Sequence, residues 1–390
     1  MKILIRWKWK VGRAAKELLD YLNIQSYIED DDSFKWNFND YVLQFDKIVV
    51  SPWIKPNHQI YKFWKDKIIW ELDLIRFLIR KFGFKNLYFI WITWTDGKST
   101  TTWKIYNILK DRLSEYNVYI WGNFGKPISL LFLDWLKKKG PAVFVLEISS
   151  FMAYNLKRLK FIGSFWTNFE VDHLDWHNDL QDYRKAKKNL FKNTIGIKLP
   201  SVWLKVNYDF FKTKEKDLLD FIEQLIHIFW YKISKEEIRK KLSQIKPLPH
   251  RFQFLKQIWD IKIYDDWKCT TANCQIYALK RLDKKCVLIC GWFDKWIDYS
   301  KYIDVYKQKV GFAVLFWDIW KKIKELFDKV WIENKYFWEN FDDAVKFAID
   351  IAKRKNIKNI LFSPWASSFD LFSNRKERAD RFVEIINNFR

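Results

Sequence analysis

Glycine is scarce in this chain, with 10 copies among 390 residues, whereas globular proteins usually contain about 7%. Tryptophan is abundant, with 24 copies. The sum of the two counts is close to the number of glycines usual for a chain of this length plus a few tryptophans. A real shortage of glycine would exclude tight turns and phosphate-cradling loops, which need a residue without a side chain. The imbalance therefore bears on every glycine-dependent motif.

Cysteine is also sparse, and long apolar runs are missing. The cysteines show neither paired Cys-x-x-Cys spacing nor histidine at ligand spacing, which argues against a metal site or a disulfide framework at Cys269, Cys274, Cys286 and Cys290. No apolar stretch approaches the ~18 residues of a membrane helix, and lysine and arginine interrupt the N-terminal apolar run. We therefore expect a cytoplasmic protein with no membrane partner.

Basic residues outnumber acidic ones by 70 to 47, giving a net charge of +23. A basic, aromatic-rich chain could bind single-stranded nucleic acid by stacking bases on tryptophan. The basic residues, however, are spread along the whole chain without a basic tail, which also fits a lysine-rich lineage. Hydrophobic residues make up 49% of the chain and charged residues 30%, which excludes a disordered or fibrous protein.

Short β-rich runs alternate with amphipathic helical stretches, which is typical of α/β domains with parallel sheets. Helices are predicted over 13–23 and 375–389. Strands are predicted at Lys2–Arg6, Lys47–Ser51, Lys85–Thr93, Ala142–Ser149, Cys286–Gly291 and Asn359–Ser363. Domain boundaries are predicted near residues 86 and 247.

Residues 91–100 (WITWTDGKST) end like a phosphate-binding P-loop, with Gly97, Lys98 and Ser99 after an apolar strand. In such a loop Lys98 reaches the phosphates and the Ser99 hydroxyl ligates Mg²⁺. Trp94 occupies the position of the loop's first glycine, where a side chain would fill the phosphate space. The turn at residues 7–12 (WKWKVG) has the same defect, because it becomes G-x-G-x-x-G only when Trp7 and Trp9 are replaced by glycine.

With tryptophan read as glycine, the chain resembles the Mur ligases, and the matches follow the family order over nearly the whole length. The matching segments are SPWI (51–54), WITWTDGKSTT (91–101), WGNFG (121–125), EISSF (147–151), DHLDWH (172–177), YRKAK (183–187), LPHR (248–251), DDWKCT (265–270), GWFDK (291–295) and SPWASSFD (363–370).

The resemblance implies an α/β fold of three domains. These are a Rossmann-like N-terminal domain that binds the UDP-sugar precursor (1–86), a central P-loop ATPase-like domain with a parallel sheet (87–247), and a Rossmann-like C-terminal domain that binds the amino acid (248–390). It also implies a monomer with no nucleic-acid partner.

The motifs are similar to those of the family branch that adds D-glutamate to UDP-N-acetylmuramoyl-L-alanine, with ATP and Mg²⁺ as cofactors. A carboxylate is a poor electrophile, so the implied reaction first transfers the γ-phosphoryl group to it, and the amine then attacks the acyl phosphate. Such chemistry needs charge neutralisation and positioning more than a nucleophilic side chain. Sister Mur ligases and folylpolyglutamate synthase-like ligases, which add other amino acids, remain alternatives.

The resemblance also assigns residues to roles. The catalytic residues would be Lys98, Glu147, His173 and Lys187. Magnesium would be held by Ser99, Glu147, His173 and, if carbamylated, Lys187. ATP would contact Trp94, Thr95, Asp96, Gly97, Lys98, Ser99, Thr100, Arg251 and Asp266. The precursor and D-glutamate would contact Gly12, Asn123, Lys268, Thr270, Lys295 and Ser368.

Tryptophan stands at glycine positions of the family pattern eight times, at Trp7, Trp9, Trp53, Trp91, Trp94, Trp121, Trp292 and Trp296. Our hypothesis is that the gene uses UGA for glycine and that the printed sequence reads UGA as tryptophan. The alternative is a real tryptophan-rich protein, such as a decayed paralogue. Three further departures are Asp96 in place of asparagine, Trp267 in place of serine, and Arg375 where an aromatic residue is expected.

Overall fold

The computed structural model describes residues 1–6, 10–29, 44–51, 54, 66–93, 97–122, 124–154, 156, 159–166, 168–169, 173, 176–199, 211–212, 215–269, 271–291, 300–316, 320–337, 340–365 and 375–389. The chain divides into two compact units, residues 1–245 and 246–390. The first unit contains two parallel sheets and the second contains one mixed sheet. The three predicted domains stay a prediction.

The first sheet contains four parallel strands in the order β2-β1-β3-β4. Its interior strands are short and apolar, as expected for strands covered on both faces. The elements are β1 (Lys2–Arg6), α1 (Lys10–Tyr21), β2 (Gln25–Glu29), β3 (Lys47–Val50), β4 (Ile68–Ile69) and α2 (Glu71–Phe82).

The second sheet contains five parallel strands in the order β10-β8-β5-β7-β6. Every residue of β7 is buried, because helices cover both faces. The elements are β5 (Leu87–Thr93), α3 (Lys98–Arg112), β6 (Asn117–Trp121), α4 (Ile128–Lys138), β7 (Ala142–Glu147), α5 (Ser150–Tyr154), β8 (Phe161–Trp166), β9 (Asn168–Phe169), α6 (Leu180–Lys192), β10 (Thr194–Leu199), β11 (Phe211–Lys212), α7 (Glu215–Ile228) and α8 (Lys235–Gln244). Strands β9 and β11 form a separate antiparallel pair.

The third sheet has the order β12-β13-β17-β14-β15-β16, and all of its pairs are parallel except the β12–β13 hairpin. Strand β14 is completely buried. The elements are β12 (Gln253–Ile258), β13 (Ile261–Asp265), α9 (Ala272–Arg281), β14 (Cys286–Gly291), a 3₁₀ turn (Ser300–Tyr302), α10 (Ile303–Lys309), β15 (Val310–Phe316), α11 (Trp320–Asp328), β16 (Asn334–Phe337), α12 (Phe341–Arg354), β17 (Asn359–Trp365) and α13 (Arg375–Asn388).

The predicted α/β class with parallel sheets is confirmed, and all six predicted strands are present. The strands predicted at Lys2–Arg6 and Cys286–Gly291 have the observed bounds. The first helix begins at Lys10, three residues earlier than predicted. The last helix ends at Asn388, one residue earlier than predicted.

Candidate functional site

Strand β5 ends at Thr93 and helix α3 begins at Lys98, which is the strand–loop–helix order that a phosphate loop requires. Gly97 precedes the helix with φ 75°, in the left-handed region that favours glycine. Lys98, Ser99 and Thr100 form the first turn of α3, where the backbone N–H groups and the helix dipole favour an anion. The rest of the predicted loop, Trp94, Thr95 and Asp96, lies outside the described residues.

Glu147 ends the neighbouring strand β7, paired with Ile92 of β5. Its side chain is buried, with 7% of the residue exposed, and its Oε2 atom has no hydrogen-bond partner among the described residues. Glycine at position 122 leaves room for the Glu147 side chain, because a Cβ at Gly122 would lie only 2.5 Å from Cβ of Glu147. The sheet order thus places a buried carboxylate beside the helix that starts at Lys98.

His173 and Lys187 lie near the same sheet edge. The His173 ring is 4.6 Å from the ring of Phe151, which is four residues beyond Glu147. Lys187 is 1% exposed, and its Nζ atom lies 4.6 Å from the Tyr183 ring centre and 5.7 Å from that of Trp166. Aromatic faces stabilise the ammonium form of a buried lysine.

A cavity of about 250 Å³ lies where the carboxyl ends of β1, β3 and β6 meet within the first unit. Two cationic side chains, Lys10 and Lys126, line it, and the Nζ atom of Lys10 donates a hydrogen bond to the carbonyl of Gly125. Gly12 is buried in the first turn of α1, which also begins at this edge. Asn123 lies outside the described residues.

Glu71 is a residue of this cavity that the sequence did not single out. Its Oε1 atom accepts hydrogen bonds from Ser129 N at 3.0 Å and Ser129 Oγ at 2.7 Å. Burial raises the pKa of Glu71 to about 7, against the opposing effect of the Ser129 hydrogen bonds. A glutamate in the first turn of a helix is ordinary, so only the tertiary contact with Ser129 marks it.

The second unit brings together Arg251, Asp266 and Lys268 at the carboxyl ends of β13 and β17. The guanidinium of Arg251 donates to the carbonyl of Lys268 at 3.1 Å. The backbone N–H of Asp266, which directly follows β13, donates to the carbonyl of Phe362 in β17. Sequence reasoning missed the neighbouring hydrogen-bonded contact, in which Nδ1 of His250 lies 2.6 Å from Oδ2 of the buried Asp265.

Asp266 is buried, and both of its carboxylate oxygens accept hydrogen bonds. Its Oδ1 accepts from Phe252 N at 3.0 Å, and its Oδ2 accepts from Ser363 Oγ at 3.2 Å. Burial raises the pKa of Asp266 to about 7, although the positive charge of Arg251 opposes this rise. A carboxyl group with this pKa can either accept or donate a hydrogen bond near neutral pH.

All four cysteines are free. Cys269 and Cys274 nevertheless lie close to Asp266, with one ligand atom from each within 4.8 Å of the others. The nearby guanidinium charge of Arg251 disfavours a cation there. Three predicted substrate residues, Thr270, Lys295 and Ser368, lie outside the described residues, as does the side chain of Arg375.

Trp91 and Trp121 are the two of the eight hypothesised glycines that the structure describes. Trp91 is completely buried, and its Nε1 donates to Thr194 Oγ1 at 2.8 Å. Trp121 is 6% exposed, and neither residue has a positive φ. The fold therefore accommodates tryptophan at both positions. Trp267, which replaces the family serine, is also buried, with its ring 5.6 Å from that of His250.

Residues 92–209 match the family model of the Mur ligase middle domain. The UDP-N-acetylmuramoylalanine–D-glutamate ligase of Aquifex aeolicus is 31% identical, and the alignment covers 99% of this chain and 98% of that enzyme. The chain belongs to the Mur ligase family. The enzyme of the same name from Hydrogenobaculum is 32% identical, again over 99% and 98% of the two chains.

Solved Mur ligases share the fold. The UDP-N-acetylmuramate–alanine ligase of Thermotoga maritima superposes with a TM-score of 0.58 at 15% identity, covering 99% of each chain. A folylpolyglutamate synthase from Mycobacterium tuberculosis, solved with ADP, gives a TM-score of 0.51 at 10% identity, covering 76% of this chain and 92% of that one. Among the described residues of this Mur ligase, no helix has the length and apolarity to cross a membrane.

Proposed function

We propose that this chain is an ATP-dependent ligase that joins D-glutamate to UDP-N-acetylmuramoyl-L-alanine. The observation that carries the proposal is the edge of the five-stranded sheet, where Gly97 and Lys98 follow β5 and the buried Glu147 ends the adjacent parallel strand β7. The near full-length similarity to enzymes of this name supports the choice of substrates.

The nucleotide phosphates would bind at the start of α3. The backbone N–H groups of the first turn would bind phosphate oxygens, and the Lys98 ammonium would neutralise part of their charge. Ser99 lies in the same turn and is 5% exposed, and its hydroxyl can serve as a ligand or donor. These groups position the γ-phosphoryl for transfer to the carboxylate of the precursor.

Glu147 is suited to hold magnesium, because its Oε2 oxygen is buried without a hydrogen-bond partner among the described residues. Carboxylate and hydroxyl oxygens are ligands that Mg²⁺ prefers. When bound, the ion neutralises charge that develops on the phosphoryl oxygens. His173 packs against Phe151 close to Glu147 and is our second candidate ligand.

Lys187 would act after modification. Its Nζ atom lies against two aromatic rings and the residue is 1% exposed. The ammonium would first lose a proton, and the neutral amine would then add to CO₂ and release a second proton. The product is a carbamate anion, whose oxygens can hold a second Mg²⁺. The expected signature is a loss of activity on removal of bicarbonate and CO₂, with recovery when bicarbonate is restored. A Lys187→Arg variant should be inactive under both conditions.

The precursor would occupy the cavity at the ends of β1, β3 and β6. Lys10 and Lys126 give it the positive charge that a diphosphate requires. In the second unit, Arg251 and Lys268 supply cations for phosphate and for the carboxylates of D-glutamate, and Asp266 supplies a hydrogen bond to the ribose. Thr270, Lys295 and Ser368 remain predicted contacts.

Measurement of phosphate release tests this proposal directly. Protein with glycine at positions 7, 9, 53, 91, 94, 121, 292 and 296 is incubated with ATP, Mg²⁺ and UDP-N-acetylmuramoyl-L-alanine, and D-glutamate is compared with L-lysine and D-alanyl-D-alanine. Release that depends on D-glutamate supports the proposal. Release with another amino acid would identify a sister ligase, and release with none would contradict a ligase function.

The literal tryptophan chain is a matched control for the same assay. We expect it not to bind ATP, because an indole at position 94 would fill the space for phosphate. Measurable ATP affinity in that chain would contradict this account of the loop. We also expect a monomer, and size-exclusion chromatography with light scattering would show it.

The nucleic-acid alternative depends on exposed aromatic side chains. Several of the described tryptophans, including Trp91, Trp121 and Trp166, are instead buried. Buried indoles cannot stack on bases, and this observation favours the ligase. A salt-dependent DNA shift without ATP dependence would favour the alternative.

A further inference from the structure

Among the described residues, five helices end in the same hydrogen-bonded motif. In each, the backbone N–H of a residue two to four positions past the helix donates to a carbonyl five residues earlier, as in a Schellman motif. The bonds run from Ile24 to Leu19, Phe84 to Ile79, Tyr231 to Ile226, Ile332 to Phe327 and Ile357 to Ala352, at 2.8–3.3 Å.

The residue before each of these donors has a left-handed backbone. Glycine occupies this position after α2 (Gly83, φ 66°), and asparagine occupies it after α1 and α12 (Asn23, φ 53°; Asn356, φ 55°). These are the residue types that the left-handed cap normally takes. After α7 and α11 the position holds Trp230 (φ 66°) and Trp331 (φ 59°).

The described part of the chain shows no side-chain packing that compensates for tryptophan at these two caps. Trp230 is 95% exposed and Trp331 is 93% exposed. No aromatic ring or cation among the described residues contacts either indole, so their side chains contribute no packing that offsets the left-handed backbone.

A third tryptophan with the same conformation is found in a hairpin. Strands β12 and β13 are joined by the two-residue loop Trp259–Asp260, and Trp259 has φ 52°. Two-residue hairpin loops favour glycine at a first position with positive φ, and Gly-Asp is a common pair there. Trp259 is 52% exposed, with Lys353 Nζ 4.0 Å from its ring.

We infer that positions 230, 259 and 331 are glycine in the protein that the cell makes, and that their codons are UGA. None of the three lies in one of the motif segments given above, so backbone geometry and not a motif match supports the inference. Trp135 is the contrasting case, because its backbone is helical and does not favour glycine. Trp135 lies within α4, is 6% exposed, and donates from Nε1 to the carbonyl of Gly140 at 2.8 Å.

Thermal unfolding of the printed chain and its variants tests the geometry. Trp230→Gly and Trp331→Gly should each raise Tm by about 2–4 °C, because glycine adopts the left-handed conformation without steric cost. Trp259→Gly should give a smaller rise, since its contact with Lys353 is lost. The matched control Trp135→Gly should lower Tm. A fall in Tm for both cap variants would overturn the inference.

The native protein offers an independent readout that does not depend on ligase activity. Tryptic peptides 217–232, 257–262 and 330–335 each contain one of the three positions. Mass spectrometry should find glycine in all three, and the gene should show UGA there and UGG at position 135. Tryptophan in these peptides, or UGG at these codons, would refute the inference.

Discussion

Glu147 in the first unit and Asp266 in the second are both buried carboxyl groups at the end of a parallel strand, yet their oxygen atoms have different surroundings. Oε2 of Glu147 has no hydrogen-bond partner among the described residues, whereas both oxygens of Asp266 accept hydrogen bonds. An unsatisfied buried carboxylate oxygen is costly unless a ligand pairs with it. The comparison therefore separates a carboxylate suited to a cation from one that is already part of a hydrogen-bond network.

The largest effect is expected from Glu147→Gln. The amide keeps the shape but loses the charge that would hold Mg²⁺, so kcat should fall by about 10²–10³-fold. Tm should stay level or rise, because an uncompensated buried charge is removed. Steady-state kinetics over a range of Mg²⁺ concentrations, with Tm measured in parallel, would check this. Near wild-type kcat would remove Glu147 from the metal site.

Gly122→Ala should have the next largest effect. The added Cβ would meet Cβ of Glu147 at 2.5 Å, and the φ of 128° is unfavourable for alanine. Both activity and Tm should fall. Gly125→Ala is the matched control, because its φ is also positive (91°) but nothing lies within 4 Å of its added Cβ. Equal losses in kcat for the two variants would show that the contact with Glu147 is unimportant.

Asp266→Asn should have a smaller and different effect. The amide can still hydrogen-bond to a ribose, so KM for ATP should rise by about tenfold or less, with kcat little changed. ATP titrations at saturating precursor and D-glutamate would measure it. A drop in kcat as large as that of Glu147→Gln would erase the distinction between the two carboxyl groups.

The smallest expected effect is in the pH dependence of stability. The pKa of Asp266 is raised to about 7 in the folded chain, whereas an exposed aspartate has a pKa of about 4. The folded state therefore binds more protons between these values, so this group's contribution to stability is largest below about pH 4 and falls until about pH 7. Asp266→Asn should flatten that part of the curve of Tm against pH.

Glu71 is the matching group in the first unit, with its pKa also raised to about 7. Glu71→Gln should flatten the curve over the same range in the unfolding of that unit. An unchanged slope in both variants would mean that these carboxyl groups do not titrate as the structure indicates.

Much of the fold could be predicted from the sequence because buried parallel strands are continuous apolar runs. Strand β14 (Cys286–Gly291) has such a run, and its predicted and observed bounds agree. The β12–β13 hairpin was not predicted. Its loop is Trp259–Asp260, and tryptophan conceals the Gly-Asp signal that normally marks a two-residue turn.

Some residues of the candidate site could also be recognised from the sequence, and others could not. Lys98 and Ser99 could be recognised locally, because a phosphate loop is a contiguous strand-loop-helix segment. Glu71 and the His250–Asp265 pair could not. Their burial and their partners depend on contacts such as Glu71 with Ser129, which is 58 residues away along the chain.

Local sequence patterns are sufficient to predict the α/β class and the main strands, and they also predict a phosphate loop, because each of these depends on neighbouring residues. Three properties depend instead on tertiary contacts: which carboxylate oxygen lacks a hydrogen-bond partner among the described residues, which lysine is buried against aromatic rings, and which tryptophans have a left-handed backbone. Those properties arise from burial and from hydrogen bonds between distant segments. The composition shows that glycine is scarce, but the inference that positions 230, 259 and 331 are glycine depends on the backbone angles there.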